Sequence, residues 1–130
     1  MPAKTASKAK WIEVGDKKIF ARSRWEANYA RYLEHLKQSK EIADWRHEGS
    51  TFWFEKIKRG VRSYLPDFDV FRNDGSVEHH EVKGFMDNKS FTKIKRMRIY
   101  HPDVNLVLVD PIVYGNIERT IGRGINGWEE

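Results

Sequence analysis

The chain has 130 residues, enough for one hydrophobic core and too few for two, and 39% hydrophobic residues with five Trp, five Tyr and seven Phe exclude a disordered chain. It has no cysteine, which excludes a disulfide framework and a Cys-based zinc site, and its five histidines lack zinc-type spacing. Lys and Arg outnumber Asp and Glu by 24 to 19, a formal charge of +5 that favours polyanions, nucleic acid first.

No apolar run approaches the roughly 20 residues of a membrane span, and no signal-peptide core is visible, so a cytoplasmic protein is expected. Residues 1–10 are small, polar and lysine-bearing, and read as a flexible basic arm ahead of a single domain over 11–130. In that domain Trp11–Val14 and Lys17–Phe20 read as a hairpin across Gly15-Asp16. Ser23-Arg24-Trp25-Glu26 then fits a capping box, and Trp25, Tyr29, Tyr32, Leu33 and Leu36 form the apolar stripe of a helix ending near Gln38. Glu41–His47 and Thr51–Ile57 follow as strands. Lys56 to Arg62 is a basic, glycine-containing turn whose Lys58, Arg59 and Arg62 are either a solvated loop or phosphate contacts.

Tyr64–Phe71 and Val77–Gly84 read as two strands joined by the turn Asn73-Asp74-Gly75-Ser76. A second helix over Lys89–Tyr100, capped by Asp87 or Asn88, has an apolar stripe of Phe91, Ile94 and Met97. Its remaining surface carries Lys89, Lys93, Lys95, Arg96 and Arg98 with no acidic residue after the cap, a pattern that favours phosphate. Val104–Val109 is a nearly continuous apolar run, expected to be a strand buried on both faces and parallel to the preceding one through a βαβ crossover. A short helix is expected around Tyr114, Ile117 and Ile121, broken by Gly122, Gly124 and Gly127 before Trp128. The fold class is therefore α/β (α+β), a mixed central sheet flanked by helices.

Side chains alternate along a strand, so Glu81 and Lys83 project together while Val82 points away, and pairing of the two strands brings Asp67 beside Glu81. Two carboxylates and a lysine suit a divalent cation, a phosphate and an attacking water. Mg²⁺ takes oxygen ligands and keeps several waters, so two carboxylates and a substrate phosphate suffice. Three alternatives stand beside this reading. Asp69 shares a strand face with Asp67, Glu81 and Lys83 can form a mere surface ion pair, and Glu26 can be only the helix cap. His79, His80 and Glu78 are expected at the surface.

Pro66-Asp67 followed by Glu81-Val82-Lys83, with Glu26 on the preceding helix and a basic helix after, resembles the PD-(D/E)xK nuclease superfamily. Within it, Leu65-Pro66-Asp67-Phe68, Glu81-Val82-Lys83-Gly84 and His101-Pro102-Asp103 are similar in order and spacing to the phage junction-resolving endonuclease I family. Arg22 to Leu36 and Tyr64 to Lys83 also look like a family of small prophage-encoded proteins. The resemblance covers roughly residues 11 to 110. It implies a restriction-endonuclease-like core in the order αβββαβ, with catalytic Glu26, Asp67, Glu81 and Lys83. It also implies Mg²⁺, or Mn²⁺ in its place, held by Asp67, Glu81, the Val82 carbonyl and Glu26.

The expected activity is metal-dependent hydrolysis of DNA phosphodiesters by a phage or prophage enzyme selective for branched structures such as Holliday junctions, working in a bacterial host. Symmetrical cutting of two strands implies a homodimer. The alternatives are a DNA-binding protein of the same fold without catalysis, and a sequence-specific or mismatch-nicking endonuclease.

Overall fold

The computed structural model describes residues 9–130, so the expected arm lies almost wholly outside the described residues. The hairpin is present as β1 (Lys10–Val14) and β2 (Lys17–Ala21), turned at Gly15, whose φ of +61° favours a residue without Cβ. Ile12, Val14, Ile19 and Ala21 are buried on one face, while Trp11, Glu13, Lys18 and Phe20 point outward. Helix α1 (Arg24–Gln38) starts where the capping pattern places it, with Ser23 Oγ accepting from the Glu26 amide at 3.1 Å. It buries Trp25, Tyr29 and Leu33.

The central sheet consists of β3 (Asp44–His47), β6 (Phe68–Phe71), β7 (Val77–Val82) and β8 (Asn105–Val109), in that spatial order. The first two pairings are antiparallel, and β7 with β8 is parallel, as the crossover through α2 (Asn88–Tyr100) requires. The fold is thus mixed α+β, and its elements around this sheet run α1, β3, β6, β7, α2, β8. A third helix, α3 (Pro111–Thr120), is capped by Asp110 and followed by one 3₁₀ turn, Gly122–Gly124.

The core lies between the sheet and the two helices α1 and α3. Trp45, Phe68, Val70 and Val109 from the strands meet Trp25, Tyr29 and Leu33, and Trp25 stacks on Tyr114 at a ring separation of 4.1 Å. Each such side chain removed from water contributes about 1.5–3 kcal/mol. A smaller cluster of Phe54, Tyr64 and Met97 joins α2 to a two-residue ladder formed by β4 (Phe52–Trp53) and β5 (Ser63–Tyr64).

Five expectations are corrected. The Tyr64–Phe71 strand is interrupted at Leu65-Pro66-Asp67, because proline cannot donate to a ladder. The Thr51–Ile57 strand shrinks to Phe52–Trp53. The last strand, β8, is an edge strand whose Leu106, Val107 and Leu108 are only half-buried, since no further strand covers it among the described residues. Phe91 is exposed, leaving Ile94 and Met97 to anchor α2. His79 and His80 are buried rather than at the surface, on opposite faces of β7: His80 Nδ1 meets Tyr29 Oη at 2.5 Å, and His79 Nδ1 meets Asp69 Oδ1 at 2.8 Å. Among the described residues no helix is long and apolar enough to cross a membrane.

Candidate functional site

The break before β6 sets the geometry. Released from the ladder after Pro66, Asp67 turns its carboxylate to the end of β7, where Oδ2 accepts the Val82 amide at 2.9 Å. In return the Asp67 amide donates to Glu81 Oε1 at 3.3 Å. Oε1 of Glu81 also accepts the buried Tyr64 hydroxyl at 2.9 Å, and Lys83 Nζ lies 3.5 Å from Oε2. Alternation on β7 produces this arrangement: Glu81 and Lys83 lie on one side, while Val82 packs toward the main core.

Glu26 is buried on the first turn of α1, and its Oε2 meets His47 Nε2 at 2.6 Å. The Ser23 cap is therefore real, but the Glu26 carboxylate is held by a histidine on β3. Next to His47, Glu48 adopts φ of +51°, the left-handed region that non-glycine residues seldom occupy. Its amide donates to the Asp67 carbonyl at 2.8 Å, and its carboxylate pairs with Arg22. The strained turn thus fixes the backbone of Asp67.

Burial, the charge of Glu81 and then that of Glu26 push the Asp67 carboxyl well above the usual carboxylate range; the Val82 amide and Lys83 offset part of this. Asp67 is half-buried as a residue, but its carboxylate faces inward, so desolvation still dominates. Burial also raises Glu81, against the opposing bonds from Tyr64 and Lys83. Burial and the neighbouring Glu81 raise the Tyr64 phenol, so it remains a donor. Three acidic groups thus share one electrostatic neighbourhood.

Asp69 has a different employment. Buried on β6, its oxygens take His79 Nδ1 at 2.8 Å, Ser50 Oγ at 2.8 Å and Arg46 Nη2 at 3.2 Å. Gly49 permits this closure, since a Cβ there would lie 2.5 Å from Asp69 Oδ2. Asp67, not Asp69, is the acid beside Glu81.

The basic residues divide. Lys93 lies 6.0 Å over the Tyr64 ring, and Arg96 bonds the Val61 carbonyl, which ties α2 to the turn bearing exposed Lys58, Arg59 and Arg62. Lys89 and Lys95 are exposed, while Arg98 lines a separate cleft with Leu106 and Leu108 on the β8 side.

His47, Glu48, Arg22 and Tyr64 had no assigned role in the sequence reading. The two-residue spacing of Trp45 and His47 does put the histidine on the inward face of β3, which was the available signal. The contacts of Glu48 and Arg22 depend on a turn that no local pattern marks. Among the described residues no three His, Asp or Glu side chains form a metal-ligand group on their own. The chain therefore offers a pair of carboxylates, with solvent and substrate left to complete any coordination shell.

A protein-family model described as "Protein of unknown function (DUF1064)" matches residues 4–114, most of the chain. The chain belongs to this family. No curated protein matches its sequence.

Proposed function

For this member of the DUF1064 family, whose description assigns no activity, we propose metal-dependent DNA endonuclease chemistry of the PD-(D/E)xK type on a restriction-endonuclease-like core. The observation that carries the reading is the interlocked pair Asp67 and Glu81, both with raised proton affinity, with Lys83 at Glu81 and Glu26 nearby. A cluster of carboxylates that resists ionisation is relieved by a bound cation, and an all-oxygen donor set suits Mg²⁺ or Mn²⁺. The residues present fit such an ion. With Asp67 Oδ2 taken by Val82 and Glu81 Oε1 by Tyr64, the second oxygen of each carboxylate would hold it, that of Glu81 in place of its 3.5 Å contact with Lys83.

A bound divalent ion lowers the pKa of coordinated water and offsets charge on the scissile phosphate. The protein's own groups do the rest. Tyr64 and the Asp67 amide hold Glu81 in one orientation, and Val82 does the same for Asp67. Lys83 brings a positive charge to the phosphate oxygens as the attacking water adds and the 3′ or 5′ oxygen departs. His47 fixes Glu26, which completes the acidic neighbourhood. The basic turn and the Lys93 and Arg96 flank of α2 supply phosphate contacts beside the site.

The proposed substrate is branched DNA of phage or prophage recombination, cut by a homodimer with paired sites. Purified protein incubated with four-way junction, flap, nicked and linear DNA, with Mg²⁺ or with chelator, tests it. Metal-dependent nicking that favours the branched substrates is the expected result. Salt-sensitive binding with no cleavage of any substrate would instead identify a non-catalytic DNA-binding protein, and cutting at one linear sequence a sequence-specific enzyme.

A further inference from the structure

The outward face of the β1–β2 hairpin contributes nothing to the core, which its other face already fills with Ile12, Val14, Ile19 and Ala21. Yet it carries two large aromatics. Trp11 and Phe20 are cross-strand partners, 63% and 37% exposed, with rings edge-to-face at 5.3 Å. Keeping so much apolar surface in water is unfavourable unless a ligand covers it.

These rings form one wall of a cleft of about 450 Å³, lined also by Lys17, Lys18, Arg46, His47 and Glu48. The cations differ in availability. Lys17 is engaged by Asp44 at 3.1 Å, and Arg46 leans on Asp69 and Phe71, while Lys18 stands over the Trp11 ring at 5.6 Å. The lining carboxylate of Glu48 is paired with Arg22. The cleft therefore combines an exposed indole braced by the edge-to-face Phe20 ring, a cation beside it and no unpaired anion among these lining groups.

Two of its lining residues also touch the candidate site. His47 holds Glu26 at 2.6 Å, and the Glu48 amide holds the Asp67 backbone at 2.8 Å. The cleft and the acidic cluster thus share His47 and Glu48 as neighbours.

We propose that this cleft receives an unpaired base of single-stranded DNA, stacked on Trp11 and flanked by Phe20, with Lys18 on its phosphate. An aromatic face with an adjacent cation is how single strands are held without sequence readout. A base inside a duplex has both faces covered by its neighbours and cannot enter. The identity of the polyanion as DNA rests on the nuclease reading, and the cleft refines it: the preferred substrate has an unpaired stretch next to the cut.

The test is affinity in chelator, where no cleavage occurs, for a fluorescent oligothymidylate of about 12 nucleotides, within the span that single-strand grooves cover, and for a blunt duplex. Trp11→Ala is expected to weaken oligothymidylate binding roughly tenfold, as loss of one base–aromatic stack does. Phe20→Ala and Lys18→Ala weaken it less, Trp11→Tyr restores it, and duplex affinity is unchanged. Both aromatics lie outside the core, and an unchanged melting temperature verifies folding. Equal binding by wild type and Trp11→Ala would overturn the proposal, as would parallel loss of single-strand and duplex binding. So would a fall in sedimentation mass on substitution, which would make the patch an interface between copies of this chain. Metal-dependent cleavage by the wild type is measured separately, so failure of the nuclease reading leaves the binding result intact and distinguishable.

Discussion

Asp67 donates its backbone amide to Glu81 Oε1 at 3.3 Å, so the two carboxylate-bearing residues are joined through a main-chain bond rather than held apart by their charges. The Val82 amide donates to Asp67 Oδ2 from the other side. These two bonds keep a repulsive pair together in the absence of a cation, and the consequences are measurable.

The first concerns pH. Burial, then the charge of Glu81, raises the Asp67 carboxyl above its unfolded value. Such a group binds its proton more tightly when folded, so its contribution is present below the unfolded pKa and is lost as pH rises through the folded one. Wild-type stability in chelator should therefore fall with rising pH from about 4 upward. Asp67→Asn keeps an oxygen for the Val82 amide and removes the charge. Its melting temperature should exceed that of the wild type near neutrality, by roughly 2–8 °C per kcal/mol relieved, and match it at acid pH. A constant difference across the titration would refute the coupling.

Divalent cations should reverse that penalty. Saturating Mg²⁺ is expected to raise the melting temperature of the wild type, since a ligand at about a hundred times its Kd adds about 2.7 kcal/mol. Asp67→Asn and Glu81→Gln should show little of this shift. Calcium, another hard cation that takes oxygen ligands, should stabilise the wild type as well; equal shifts in all three proteins would place the ion elsewhere.

His47 acts through Glu26. Removing it by His47→Ala should lower kcat on DNA about 10–100-fold, the usual effect of losing a partner that orients a functional carboxylate, with KM nearly unchanged. His47→Gln, which retains a donor, should recover part of the loss. A rise in KM at constant kcat would mean that the ring contacts DNA instead.

Asn28 tests the architecture apart from the chemistry. It is fully buried on α1, where Nδ2 donates to Tyr114 Oη at 2.9 Å and to the Glu129 carbonyl at 2.7 Å, while Oδ1 accepts the Glu129 amide at 2.9 Å. Burial pushes the Tyr114 phenol up to about 12, so it stays protonated in this network. Asn28→Ala should cost about 2–3 kcal/mol by leaving these partners unsatisfied, seen as a lower urea midpoint at constant slope.

Much of this was legible in the residues. The Ser23 cap, the Gly15 turn, the parallel β7–β8 pairing and the meeting of Asp67 with Glu81 all follow from spacing and strand alternation. Pro66 singles out Asp67 over Asp69, but the strand pattern of Tyr64–Phe71 runs straight through the break at Leu65-Pro66-Asp67 that frees Asp67 to turn toward Val82. What was hidden depends on distant contacts. The His47–Glu26 bond spans 21 residues, and the burial of His79 follows from Asp69, Ser50 and Gly49 closing around it. Phe91 obeys the helical period of Ile94 and Met97 but lies at the edge of their stripe, beyond the reach of the sheet.

The most direct test of the central claim is the initial rate of four-way junction cleavage in Mg²⁺ by wild type and Asp67→Asn, compared at matched folded concentration. The account predicts cleavage by the wild type that chelator abolishes, and a rate at least about 100-fold lower for the variant. No cleavage by the wild type, or equal rates for the two proteins, would contradict it.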